Sequence, residues 1–74
     1  MEFKLKSEFI ELDNLLKVLE LAGSGAGAKQ IILSGAVKVN GQVETRVRCK
    51  LRLGDLVEFQ EQQITIALKG DGSI

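Results

Sequence analysis

Residues 30–53 read QIILSGAVKVNGQVETRVRCKLRL. The apolar spacing changes period inside this stretch. Ile31 and Ile32, with Ala28 before them, keep the spacing of a buried helix face. After Gly35 the period becomes two. Val37 and Val39 flank Lys38, and Val47, Cys49, Leu51 and Leu53 alternate with Arg46, Arg48, Lys50 and Arg52. A helix therefore stops at a glycine and runs into sheet. Asn40-Gly41 is a hairpin signal. A two-residue turn there would set Val39 across from Gln42 and Lys38 across from Val43, mixing polar and apolar on both faces. A three-residue turn over Val39, Asn40 and Gly41 pairs Lys38 with Gln42 and Val37 with Val43. It sorts the faces, so it is the expected register.

Upstream, Phe3 and Leu5 alternate with charged residues, which predicts a short strand or extended arm. Leu12, Leu15, Leu16 and Leu19 fall at i, i+3, i+4 and i+7, so a first helix is expected over 12–21, with Asp13 or Asn14 capping its start. Gly23 is the expected left-handed stop, and Ser24 the N-cap of a second helix that ends at Gly35. Downstream, Gly54-Asp55 marks a turn and 56–59 a strand. Residues 61–63 are expected to turn before a last strand through Ile64, Ile66 and Leu68.

Seventy-four residues allow one domain with a modest core, expected over 1–69, followed by a flexible tail at 70–74. The net charge is zero but segregated: residues 29–52 carry +5 and the remainder −5. Such a distribution attracts polyanions to one side of the molecule. One cysteine and no histidine exclude an internal disulfide and the usual zinc sets, and remove the commonest general base. No apolar run approaches the ~20 residues of a bilayer span. No enzyme activity, metal or cofactor, small-molecule substrate or membrane contact is expected, and the chain is expected to be a cytoplasmic monomer.

The chemistry lies in the basic run. If 46–53 is extended, Arg46, Arg48, Lys50 and Arg52 project to one side every ~6.8 Å, close to the repeat of phosphates along a nucleic-acid strand. The arginine fork suits phosphate oxygens. Phe3, Phe9 and Phe59 read as core, which leaves no exposed aromatic for stacking bases and favours recognition of RNA by backbone and shape. Cys49, on the apolar phase, is expected to be buried with Val47 and Leu51. Residues 23–29, GSGAGAK, fail the phosphate-loop pattern at Ala28 and Gln30.

Two short helices, then SGAVKVNG, a basic strand and LGD resemble the RNA-binding domain of the type found in small-subunit ribosomal protein four, also called the alpha-L motif, in its small stand-alone bacterial version. The resemblance covers about 12–59. It implies an α+β fold with two short N-terminal helices packed on a small, mostly antiparallel sheet. It implies binding of structured RNA, often ribosomal, through the start of the second helix and the following hairpin, and a ribosomal or transfer RNA is the expected partner. By position it adds Ser24, Lys29, Lys38 and Asn40 to the candidate contacts. The family usually has arginine after that serine, and Gly25 stands there in this chain, which shifts weight to Arg46, Arg48 and Lys50. The alternative is a protein-interaction module whose basic face docks an acidic partner.

Overall fold

Leu12, Leu15 and Leu16 are fully buried, as their spacing requires, on helix α1 (Leu12–Val18). The computed structural model describes residues 1–68, so the tail expected over 70–74 lies outside the described residues. Helix α1 starts without a side-chain cap: Glu11 occupies that position and makes no such bond. It also stops before Gly23. Glu20 takes the left-handed conformation (φ 60°) and donates its N–H to the Lys17 carbonyl, while the Leu21 N–H reaches back to Leu16. These two bonds form a Schellman stop with Leu21 tucked against the core. Burial of Leu21 and Ala22 holds Glu20 in a conformation that glycine adopts without strain.

Gly23 is not in the left-handed region, and a side chain added there meets open space. The mutational consequence is reversed from the sequence expectation. Glu20→Gly should raise the urea midpoint, by up to ~1 kcal/mol in stability, whereas Gly23→Ala should leave it unchanged or slightly higher. A lower midpoint for Gly23→Ala would contradict this stop.

Helix α2 (Gly25–Leu33) is capped by Ser24, whose Oγ accepts from the Gly27 N–H at 3.2 Å, and it ends at left-handed Gly35. Ala28 and Ile32 are its buried positions. The helices cover one face of a sheet built from β1 (Glu2–Leu5), β3 (Val37–Val39), β4 (Gln42–Val43), β6 (Leu56–Phe59) and β7 (Gln62–Leu68), in the order β1-β7-β6-β3-β4. All pairings are antiparallel except β1 with β7. Val37, Val57, Phe59, Ile64, Ile66 and Leu5 face the helices. The fold is thus α+β, with one correction: a strand precedes the helices and forms the edge of the sheet. The last turn falls at Gln60–Glu61, since Phe59 pairs with Gln62.

The hairpin register also differs from expectation. Lys38 pairs with Val43 and Val39 with Gln42, which leaves a two-residue turn at Asn40-Gly41, both left-handed at φ 54° and 85°. Face sorting does not decide here because β4 is an edge strand with both residues exposed, Val43 at 55%. Strand β3 is oriented instead by β6 on its other side, where Val37 meets Phe59 and Val39 meets Val57. With nothing to bury on β4, the turn chemistry of Asn40-Gly41 sets the register.

Candidate nucleic-acid interface

Two short strands fix the basic segment. Strand β2 (Ile10–Glu11) pairs antiparallel with β5 (Lys50–Leu51), Ile10 opposite Leu51 and Glu11 opposite Lys50. Ile10 and Leu51 both point into the core. Residues one step away therefore point outward, and Lys50 and Arg52 emerge beside Phe9. The Lys50 Nζ stands 4.9 Å from the Phe9 ring centre and the Arg52 guanidinium carbon 5.6 Å from it. Both contacts are cation–π arrangements. Phe9 is half-buried, so it serves as a platform under two cations rather than as core.

Helix α1 supplies the second anchor. Its uncapped Leu12 and Asp13 N–H groups donate to the Cys49 and Val47 carbonyls at 2.9 and 3.1 Å. The next N–H, of Asn14, is taken by the Asp13 carboxylate. The orphan donors of the helix start are thus satisfied by the backbone of the basic loop.

Between Arg46 and Cys49 the chain turns, with the Cys49 N–H bonded to the Arg46 carbonyl, so the expected strand over 46–53 is only two residues long. In place of a ladder, Arg46, Arg48 and Lys50 surround a shallow depression of about 390 Å³ with Cys49 on its lining. All three cations are exposed, as their phase predicted. Cys49 and Val47 are half-buried rather than in the core, because they lie in the turn and not in a paired strand. Burial pushes the Cys49 thiol up, which keeps it protonated at neutral pH. Leu53 is exposed for a similar reason. Residues 52–55 form a turn closed by the Asp55 N–H on the Arg52 carbonyl, with Gly54 at φ 92°, and Leu53 sits at its tip.

Arg46 is held differently from the other cations. The Glu44 carboxylate accepts from its Nε and Nη2, each at 3.0 Å, and from its backbone N–H at 2.9 Å. The Glu44 side chain is 15% exposed and that of Arg46 76%. Hydrogen bonds from the Arg46 side chain, then from its backbone, lower the Glu44 pKa from 4.5 to about 2. A depressed carboxylate stabilises the fold above its unfolded pKa and loses that contribution as pH falls. The clamp is therefore intact above about pH 4.5 and is lost between there and about pH 2. Glu44→Gln should be less stable than the parent at pH 6, with the gap closing on acid titration toward pH 2, as followed by urea midpoints. A gap that stays constant with pH would contradict the clamp.

The other candidate contacts lie apart from the depression. Ser24 has its Oγ engaged in the α2 cap. Lys29 is exposed on α2, and Lys38 is exposed on the outer sheet face opposite Glu58 and Val43. Asn40 braces the structure: its Nδ2 donates to Asp55 at 3.0 Å, and its Oδ1 accepts from the Leu56 N–H at 2.9 Å. Asp55 also accepts from the Arg52 N–H at 2.8 Å. Asn40 thus ties the hairpin tip to the end of the basic loop. Sequence reasoning missed Phe9 and Glu44. Phe9 becomes visible only once β2 is paired with β5. Glu44 was legible as the one acid in the basic run and two residues from Arg46.

A small α+β layer thus presents a cluster of cations on a loop anchored by a helix start. The chain belongs to the S4 domain family, whose model matches residues 3–67. It is 44% identical over 61 residues to the YbcJ protein of Escherichia coli (strain K12), covering 82% of this chain and 87% of that protein, and equally to YbcJ of Shigella flexneri. It also matches the solution structure of YbcJ from E. coli, described as revealing an alpha-L motif involved in RNA binding. The TM-score is 0.67 at 43% identity, over 89% of this chain and 85% of that one.

Proposed function

We propose that this chain is a non-enzymatic module that binds structured RNA, ribosomal or transfer RNA being the natural candidates, and that residues 1–69 act as one binding unit. The observation that carries this reading is the convergence of Arg46, Arg48 and Lys50 around one depression, with Arg52 beside them over Phe9. Phosphate oxygens fit such a cluster, and the anchored backbone spares part of the ordering cost of binding. The S4 family membership and the RNA-binding motif described for E. coli YbcJ support the same partner. In this reading Arg48, Lys50 and Arg52 carry most phosphate contacts and Arg46 is a fork held by Glu44. Lys29 and Lys38 contribute from the periphery, and Ser24 and Asn40 hold the backbone.

Helix α2 has nine residues and offers no long recognition helix for a DNA major groove. Structured RNA should therefore bind more tightly than duplex DNA of equal length. Four phosphate contacts correspond to a log–log salt slope of about −3 to −4. Fluorescence titrations over a salt series test both. Absence of RNA binding at low salt would overturn the proposal in favour of an acidic protein partner.

A further inference from the structure

A second concavity, of about 420 Å³, lies beside the basic loop, between β1 and α1. Phe3, Leu5, Ile10 and Val18 give it an apolar lining, and Phe9 closes it on the side of the basic loop. Phe9 therefore belongs to two surfaces at once: it lines this groove and supports Lys50 and Arg52. Val18 is half exposed on α1. Lys4 and Lys6 add positive charge to the lining. Glu11 and Asn14 are its acid and its amide, and they supply an acceptor and a mixed donor–acceptor.

We propose that this groove receives one unpaired nucleobase of the RNA, stacked on Phe9, while the flanking phosphates lie on Lys50 and Arg52. This rests on the RNA-binding reading above and narrows the ligand to structured RNA with an extrahelical base. Three features favour a base over an apolar protein segment. The space exceeds one nucleobase. Lys4 and Lys6 line the groove while Lys50 and Arg52 lie over the Phe9 ring, so cations are at hand for the backbone of an extruded nucleotide. Glu11 and Asn14 offer the hydrogen-bond groups that a base edge needs and an aliphatic side chain does not.

The test uses two RNA hairpins of equal stem, one fully paired and one with a single unpaired 2-aminopurine. The wild-type protein should bind the bulged RNA about fivefold or more tightly, and should quench the 2-aminopurine fluorescence by stacking. Phe9→Leu, which keeps an apolar side chain, and Val18→Trp, which fills the groove from an exposed helix position, should each abolish the preference and the quench. Val18→Trp, which leaves the Phe9 platform under Lys50 and Arg52 intact, should keep the affinity and salt slope for the paired hairpin. Equal affinity for the two hairpins with unchanged fluorescence would overturn the base site while leaving RNA binding in place, and is the result expected if the groove serves a protein segment. Binding of neither hairpin at low salt would overturn the RNA reading itself.

Discussion

Reversing Arg48 and Lys50 together to glutamate is expected to weaken structured-RNA binding by about a hundredfold or more at ~50 mM salt. Each phosphate contact contributes ~0.7–0.9 to the salt slope, which corresponds to about tenfold in affinity at that salt, and reversal adds repulsion. The slope itself should shrink by about 1.4–1.8. These two positions are chosen because both side chains are exposed and flank the depression, whereas Arg46 is partly neutralised by Glu44. All RNA sequences should suffer alike, since phosphate contacts carry little sequence information. The control is a variant with the same change in net charge at exposed positions elsewhere, Lys17→Glu with Gln30→Glu and Gln42→Glu. It should lose far less. Equal losses in the two variants would mean that the basic loop acts only through the overall charge of the molecule.

Leu51→Ala is expected to cost ~2–5 kcal/mol, which is most of the stability of a domain this size. Leu51 is fully buried and sits between the two outward cations Lys50 and Arg52. Its side chain is the one that pins β5, and hence the whole basic loop, onto the core opposite Ile10. A cavity there cannot be filled by solvent without wetting Leu12 and Leu16, which share the core. Val47→Ala, in the turn and half-buried, should cost less than ~1.5 kcal/mol. Urea unfolding of the two variants gives the comparison. A Leu51→Ala midpoint within experimental error of the parent would mean that the loop is not anchored as described.

Sequence periodicity identified the elements whose burial is one-sided and local. The α1 leucines, the Ser24 cap, the Gly35 stop and strands β6 and β7 all follow from rules acting over a few residues. The motif from Ser34 to Asp55 was also enough to place the chain in its family. What was not legible depended on partners distant in sequence. The parallel pairing of β1 with β7 joins residues about sixty apart and leaves no local trace. The hairpin register turned on β4 being an unburied edge, which only the sheet order reveals. The alternation over 46–53 is real in phase around Leu51, but the helix start of α1 captures the Val47 and Cys49 carbonyls and bends the segment into a turn. Glu20 was overlooked because a charged residue in the left-handed region is disfavoured until the burial of Leu21 is known.

The claim that the anchored loop 46–52 is the RNA surface is tested most directly by mapping the amide shifts of isotopically labelled protein as structured RNA is added. The largest changes should fall on Arg46 to Arg52 and on Phe9, with smaller changes at Lys29 and Lys38 and the outer sheet face around Gln63 and Thr65 nearly unmoved. Shifts centred on that sheet face or on the start of α2, with 46–52 unchanged, would contradict it.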